Sequence, residues 1–295
     1  RLFCVTDLNE TQKIEAVLKM FSNFDLLTIM ETNHEEMTRF LLSVRDKYHK
    51  IPYHNWNHAV DSIQFAYSCI QRGRLRKFLR PHHTIAILLA CLLHDVDHKG
   101  YSTSFHVKTK SSLYYAYGEE STLEKHHLCV ATKMLQELLI TRKKMIYKDA
   151  IFWSVFSGSI LSTDMVKHFD YMEKFQVLKN GFNSNSEEHL LLLAQLIIKC
   201  ANVGNCTRPF NMASSMAKNW HEEFLIQGEK EKKLKVQEIN DSNISNDLAE
   251  LEINFDTAIV YPLLTMLGST VPELADFAIQ MEDNKKQWNE NLQKK

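Results

Sequence analysis

Glycine and proline are scarce in this chain of 295 residues, which contains eight glycines and five prolines. Together they make up about 4% of the sequence, against an average near 12% in proteins. Folds rich in strands need these residues at their many turns, so the scarcity argues against a β architecture. Residues that favour helices, such as leucine, lysine, glutamate and methionine, recur throughout instead.

The chain also lacks a long hydrophobic run and an excess of charge of either sign. The apolar run at residues 85–93 is too short for a membrane span, which needs roughly 18 apolar residues. The formal net charge is −1 and the isoelectric point is near 7.0. This balance gives no reason to expect a nucleic acid or an anionic membrane as a partner.

The six cysteines show no paired short spacing. Several lie in helical apolar contexts, where we expect free, buried thiols. We therefore expect a reducing, intracellular location, the cytoplasm. The chain starts at Arg1 and shows no signal-peptide pattern. We expect residues 1–295 to form a single catalytic domain excised from a longer chain, which leaves room for regulatory domains and targeting signals outside the fragment.

Apolar residues at helical spacing dominate the sequence, and no comparable run alternates with a period of two. The pattern predicts an all-α fold, a compact multi-helix bundle. Helices are predicted over residues 10–21, 35–47, 56–72, 84–93, 122–139, 150–167, 187–201, 214–227, 251–267 and 271–292. Residues 180–186 predict a loop. Residues 229–250 are polar and charged, which is typical of a solvated surface loop or of a lid over a pocket.

The adjacent pair His94 and Asp95 is the strongest functional signal. It closes the apolar run at residues 85–93 and is followed by Asp97 and His98. Burying so many ionisable groups beside an apolar helix is costly unless something pairs with them. Imidazole and carboxylate groups are the usual ligands of divalent cations, so this block predicts a buried metal site and hydrolytic chemistry.

A second cluster lies at residues 53–58, where His54 and His58 are one helical turn apart. Pro52 and Asn55 predict a helix that begins just after His54. His54 would then lie at the mouth of the helix and His58 one turn inside. Such a pair is more often structural than metal-binding when it stands alone, but the later His-Asp pair favours metal binding here.

Two further pairs carry polar groups in helical segments. Glu124 and His127 share one helix face at i and i+3. This spacing is typical of a functional site or of a solvated polar stripe. Thr163 and Asp164 follow an apolar pair, and alone they also fit a buried polar pair or a helix cap.

The segment 200–210 follows an apolar helix and enters a turn. An amide there, from Asn202 or Asn205, could accept a hydrogen bond or ligate a metal weakly through its oxygen. The alternative is a plain helix terminus, stopped by Gly204 and Pro209.

Together these clusters resemble the catalytic domain of the class I cyclic nucleotide phosphodiesterases. The resemblance extends from Phe21 to Trp288, and the order and spacing of its motifs agree with the family. The motifs are His54-Asn55 with His58, the block 94–100, Glu124 with His126-His127, Thr163-Asp164, residues 201–209, and more weakly residues 222–228 and 255–262.

The resemblance implies an all-helical fold with a metal pocket at the helix junctions. His58, His94 and Asp95 correspond to ligands of a tightly held ion, usually zinc, and Asn202 stands at the fourth ligand. Asp95 also corresponds to the bridge to a second ion, usually magnesium, with manganese as an alternative. The residues that hold the waters of these ions correspond to His98, Glu124, His127 and Thr163.

The same resemblance implies a small-molecule substrate, cAMP or cGMP, hydrolysed at its 3′ ester to the 5′-monophosphate. His54 corresponds to the general acid and Glu223 to the carboxylate that orients it. The substrate-binding positions correspond to Tyr53, Asn205, Glu252 and Phe255, of which Phe255 stacks on the base. The chemistry is coherent by itself, because two cations would neutralise the phosphate and activate a water while an imidazole protonates the leaving oxygen.

Two residues depart from the family pattern. Asn202 replaces a ligand aspartate, so the metal site lacks one negative charge. Glu252 replaces the glutamine that reads the base, and an ionised carboxylate only accepts hydrogen bonds. An ionised Glu252 would favour guanine, which offers two adjacent donors, over adenine.

These observations leave three hypotheses. The first is a metal-dependent cyclic nucleotide phosphodiesterase. The second is a catalytically impaired relative that binds cyclic nucleotide or a partner and regulates, which Asn202 and Glu252 favour. The third is another His-Asp phosphohydrolase, which fits the block at residues 94–100 but not His54 or Phe255.

Overall fold

The computed structural model describes residues 3–140, 145–236 and 247–294. Every regular element within these ranges is helical, which confirms the predicted all-α fold. The helices are α1 (Glu10–Asn23), α2 (Leu26–Ile29), α3 (His34–Lys47), α4 (Trp56–Arg72), α5 (Pro81–Leu93), α6 (Thr103–Lys108), α7 (Ser112–Tyr117), α8 (Thr122–Ile140), α9 (Ala150–Leu161), α10 (His168–Gly181), α11 (Glu187–Asn202), α12 (Phe210–Leu234), α13 (Leu248–Phe255), α14 (Tyr261–Thr270) and α15 (Asp276–Gln293).

Helix α5 lies at the centre of the bundle because its residues are apolar on nearly every side. All residues from His83 to Leu93 are buried, and α4, α9 and α11 pack around them. A helix that is hydrophobic all round is typical of a fully buried position. One hydrophobic cluster extends from Val5 to Met281 and joins these helices to both ends of the chain.

Helix boundaries differ from the prediction where side chains compete with the backbone or where the helix winds differently. The helix predicted over residues 150–167 ends at Leu161, and the Thr163 hydroxyl donates to the Ile160 carbonyl at 2.8 Å. The helix predicted over residues 251–267 is divided by a π-helical segment, Asp256–Val260. Helices α2, α6, α7 and α10 were not predicted.

The polar segment predicted as a loop at residues 229–250 is in part helical. Helix α12 continues to Leu234, and α13 begins at Leu248. Residues 237–246 lie outside the described part of the chain. Among the described residues, each helix is too short or too polar to form a membrane span.

The N-terminus of α4 begins where the sequence predicts. Asn55 is its N-cap, and its side chain accepts a hydrogen bond from the Asn57 amide at 2.9 Å. This cap places His54 just outside the helix and His58 one turn inside it. Helices α5 and α11 end close to the same point, so their terminal side chains face the first turn of α4.

Candidate active site

Four side chains converge where α4, α5 and α11 meet. The Nε2 atoms of His58 and His94 are 3.2 Å apart. Asp95 Oδ2 lies 3.2 Å from the first nitrogen and 2.9 Å from the second. Asn202 Oδ1 lies 3.2 Å and 3.3 Å from the same two nitrogens. The two histidines and Asp95 are buried.

The spacing within this cluster fits one small cation. Tetrahedral ligands about 2.0–2.1 Å from zinc lie about 3.3 Å from one another. His94 Nδ1 donates to the Cys91 carbonyl at 2.9 Å, which directs the other ring nitrogen at the cluster. No hydrogen bond of good geometry reaches the buried Asp95 Oδ2 from the described residues. Lone pairs this close are unfavourable unless a proton or metal ion lies between them.

The electrostatics of the cluster also favour a cation. Burial alone would lower the pKa of His94, but the charge and hydrogen bond of Asp95, together with the hydrogen bonds to Cys91 and Asn202, outweigh burial and raise the pKa above its usual value. Asn202 adds an oxygen atom and no charge. The four side chains therefore fit zinc in kind and spacing, with Asp95 as the sole charged group among them.

A second polar region lies beside Asp95 in a cavity of about 290 Å³. His127 Nδ1 donates to the Val96 carbonyl at 2.8 Å, and its buried Nε2 lies 3.9 Å from Asp95 Oδ1 without a hydrogen-bond partner among the described residues. Glu124 Oε2 is also buried and has no hydrogen-bond partner among the described residues. Such acceptors in a polar cavity suit a hydrated cation. The lining includes Asp95, His98, Glu124, His127, Thr163 and Asp164.

Glu124 differs from an ordinary surface carboxylate. Burial, and after it the charges of Asp164 and Asp95, raise the pKa of Glu124 to about 7. Asp164 itself accepts a hydrogen bond from the Ser121 hydroxyl at 2.7 Å. Negative charge is therefore concentrated around this cavity, which suits a second divalent cation.

Glu223, on α12, holds the segment that carries His54. Its Oε2 accepts hydrogen bonds from the backbone N–H groups of Tyr53 and His54 at 2.9 Å and 3.1 Å. Its Oε1 accepts from His54 Nδ1 at 2.5 Å. Burial opposes the charged imidazole, but the Glu223 hydrogen bond and the charge of Asp95 outweigh burial and raise the pKa of His54. His54 is thus oriented through Nδ1, which leaves Nε2 for other chemistry.

A larger cavity of about 560 Å³ adjoins His54. Its volume is in the range of small-molecule sites. The Tyr53 hydroxyl donates to Asn205 Oδ1 at 3.3 Å and fixes that amide. Phe255 is 37% exposed and Glu252 is buried, and both line the cavity. The lining also includes Tyr53, His54, Met165, Asn202, Val203, Asn205, Trp220, Leu251, Ala258 and Ile259.

Residues 53–281, which include every group described above, match the family model of the 3′5′-cyclic nucleotide phosphodiesterases. The chain belongs to this family. The match confirms the resemblance that the sequence motifs indicate. It covers the cluster of His58, His94, Asp95 and Asn202, the His54–Glu223 pair and the larger cavity alike.

The names of curated relatives of this phosphodiesterase family member specify different nucleotides. The cGMP-specific 3′,5′-cyclic phosphodiesterase of Drosophila virilis is 29% identical over 301 residues, covering 98% of this chain and 33% of the relative. The dual 3′,5′-cyclic-AMP and -GMP phosphodiesterase 11A of Takifugu rubripes is 28% identical over 286 residues, covering 94% and 32%. The chain spans about a third of the length of these relatives.

Solved phosphodiesterase structures share the fold. The phosphodiesterase domain of Salpingoeca rosetta rhodopsin phosphodiesterase superposes with a TM-score of 0.93 at 25% identity, covering 99% of this chain and 91% of that one. LmjPDEB1 in complex with IBMX superposes with a TM-score of 0.88 at 27% identity, covering 96% and 87%.

The preference for guanine expected from the sequence applies to an ionised Glu252, and the structure bears on that condition. Burial, and after it the charge of Asp256, raise the pKa of Glu252 to about 8. A protonated carboxyl offers an O–H donor as well as an acceptor. The restriction to accepting hydrogen bonds therefore does not hold at neutral pH, and the preference for guanine derived from it loses its basis.

Two features near the site were not predicted from the sequence. Asp256 lies buried beside Glu252; the spacing of four residues between two acids in an apolar helix was the available signal. Arg208 and Asp61 form a buried ion pair, with Nη2 and Oδ1 2.7 Å apart. Arg208 lies in a motif that the sequence highlights, but its partner is 147 residues away and no local pattern points to it.

Proposed function

We propose that this phosphodiesterase family member hydrolyses the 3′ phosphoester bond of a 3′,5′-cyclic purine nucleotide to give the 5′-monophosphate. The proposed metal ligands are His58, His94, Asp95 and Asn202, with zinc at this cluster. Magnesium or manganese is proposed beside Asp95. Family membership supports the reaction class, and the ligand spacing supports the zinc.

The observation that carries the proposal is the position of His54. Its side chain lines both the larger cavity and the polar cavity beside Asp95. A nucleotide with its base in the first cavity and its phosphate at the second would therefore have its ester bond at His54. Glu223 leaves Nε2 of His54 as the free ring nitrogen at that junction.

The chemistry then follows from the residues. Bound divalent cations would neutralise the phosphate and lower the pKa of the attacking water. The attacking water gives up one proton to the solvent, from which His54 later regains a proton. The water oxygen forms the new bond to phosphorus as the bond from phosphorus to O3′ breaks. The electron pair of that bond goes to O3′, which takes the proton from His54 Nε2. Phe255 stacks on one face of the purine.

His98, Glu124, His127 and Thr163 have a supporting role in this proposal. Their polar atoms line the cavity beside Asp95 and would hydrogen-bond the water molecules of the hydrated ions. Tyr53 and Asn205 contribute the polar edge of the base cavity, since their hydrogen bond fixes the Asn205 amide.

A second candidate function is a catalytically impaired relative that binds cyclic nucleotide or a partner and regulates. Asn202 favours it, because this amide occupies the fourth corner of the cluster and leaves Asp95 as the one charged group there. A weaker metal site would preserve nucleotide binding and lose turnover.

The test is elemental analysis of the purified chain together with hydrolysis assays on the same sample. We expect zinc to co-purify, and cAMP or cGMP to be converted to the 5′-monophosphate. A strong chelator should abolish the activity, and zinc with magnesium should restore it. Nucleotide binding without turnover in the presence of both metals would select the second candidate. Neither binding nor turnover would overturn the first candidate and the nucleotide-binding form of the second.

A further inference from the structure

A cluster of buried acidic groups adjoins the larger cavity through Glu252. Cys206 Sγ and one carboxyl oxygen each of Glu252 and Asp256 lie within 4.8 Å of one another. The three residues are 4%, 7% and 1% exposed. Asp256 Oδ1 is buried and has no hydrogen-bond partner among the described residues. Two carboxyl groups therefore face each other where water does not screen them.

Little positive charge offsets this cluster. Lys285 and Glu282 face Asp256 from α15, but they are ion-paired with each other at 2.8 Å. The Cys206 thiol is neutral at ordinary pH, because burial, and after it the charges of Asp256 and Glu252, raise its pKa well above the usual value.

Two carboxylates this close in a buried site do not both ionise at neutral pH. Burial is the first cause in both groups, and it raises the pKa of Asp256 to about 6 and that of Glu252 to about 8. Between these values the pair holds one proton. The paired acids of aspartic proteases behave in the same way.

We propose that Asp256 is a positioning residue for base recognition, whose nearby negative charge keeps one proton on Glu252 so that Glu252 meets the purine as a neutral acid. The inference rests on the proposed function, because it takes the larger cavity as the base site. A neutral acid accepts from adenine N6-H and donates to N1, and it equally accepts from guanine N1-H and donates to O6. Neutral Glu252 thus accommodates both bases.

Ionisation of Glu252 would remove this tolerance. A carboxylate still accepts from the two guanine donors, N1-H and N2-H2, but it repels adenine N1. As the pH rises through about 8, the pKa of Glu252, affinity for cAMP should fall by up to about tenfold per pH unit, as expected for one proton. Affinity for cGMP should change less.

The proton on Glu252 is tested without nucleotide by pH-difference infrared spectroscopy of the carboxylic acid C=O stretch. We expect a buried acid that titrates at alkaline pH in the natural chain and is lost in Glu252→Gln. In Asp256→Asn the midpoint should move to lower pH, because the neighbouring charge is gone. Asp283→Asn, an exposed change on α15, is the matched control and should leave the midpoint unchanged. A midpoint that Asp256→Asn does not move would overturn the proposal.

Binding measurements then test the consequence for the base. Dissociation constants for cAMP and cGMP are compared across the same pH range in the natural chain and in Glu252→Gln. We expect the ratio of the two affinities to vary with pH in the natural chain and to be constant in Glu252→Gln. A constant ratio in the natural chain would overturn the role in base recognition. If neither nucleotide binds, the proposed function fails, and the infrared result still decides whether Asp256 holds the proton on Glu252.

Discussion

His54 and Asn202 show how single side chains set the chemistry of this site. Each contacts groups that are far away in the sequence. His54 is hydrogen-bonded to Glu223 on α12, and the Asn202 side chain lies close to His58 and His94. The first would move a proton and the second would hold an ion, so substitutions at the two positions should affect different measurements.

Replacing His54 by alanine should lower the hydrolysis rate by about 10²–10⁴-fold, the usual contribution of a positioned acid. Zinc content should not change, because the metal cluster is formed by other side chains. His49→Ala is the matched control: His49 is 45% exposed and pairs with Asp97, outside the two cavities. Full turnover in His54→Ala would exclude His54 as the acid.

Replacing Asn202 by aspartate should increase zinc affinity, because the change adds a negative charge 3.2 Å from His58 Nε2. It should also raise turnover if the natural chain is impaired. Zinc titration of the metal-free protein measures the affinity. Asn205→Asp adds the same charge nearby and controls for the general effect of charge. Equal zinc affinities in the natural chain and Asn202→Asp would remove Asn202 from the ligand set.

At the scale of elements, the site depends on how α4 is joined to the turn that follows α11. The Arg208 guanidinium donates to the Asp61 carboxylate and to its backbone carbonyl. Asn284, on α15, donates to the carbonyls of Cys206 and Arg208 at 2.8 Å and 2.7 Å. These bonds fix the short segment that separates Asn202 from α12, and with it the fourth corner of the metal cluster.

Replacing Arg208 by methionine should lower the free energy of unfolding by about 3–5 kcal/mol, because it leaves the buried Asp61 charge without its partner. Urea denaturation measures the change. The double variant Asp61→Leu with Arg208→Met should regain much of the loss, since no buried charge then remains. Arg45→Met, in a pair with the exposed Asp46, is the surface control and should cost far less. A small loss in Arg208→Met would contradict the assigned role of the pair.

At the scale of the whole molecule, the bundle buries histidines that must stay neutral. His168 is 1% exposed, and neither ring nitrogen has a hydrogen-bond partner among the described residues. Burial, and after it the charge of Lys199, lower the pKa of His168 to about 4. His83 and His106 have pKa values lowered to about 4 as well, in both cases first by burial.

These histidines make stability depend on pH. In the unfolded chain each has a pKa of about 6.5, so the unfolded state takes up protons at a higher pH than the folded state. Their contribution to stability is complete above about 6.5 and is lost as the pH falls through about 4. His168→Gln should therefore show a smaller fall in melting temperature on acidification than the natural chain. His34→Gln, at an exposed position, should retain the natural dependence; an equally steep fall in His168→Gln would contradict the prediction.

The sequence by itself determined the helical class, the central helix α5 and the start of α4. These features depend on interactions within a few residues, such as apolar spacing and the Asn55 cap. It also determined the family, because the motifs keep their residue types and order along the chain. The boundaries that were wrong, at Leu161 and at the π-helical segment Asp256–Val260, lie where tertiary contacts and local hydrogen bonds compete with helical periodicity.

Only the tertiary structure decided which groups meet and in what state of charge. His58 and Asn202 are 144 residues apart, yet their side chains approach to 3.2 Å. The pKa of Glu252 depends on burial and on Asp256, and Asp61, the partner of Arg208, lies on α4, far away in the sequence. A sequence pattern reflects the conformational preferences of residues that are close along the chain. Desolvation and Coulomb interactions depend instead on distances in space. The sequence could therefore predict which residues take part in the site, but it could not predict the protonation of Glu252.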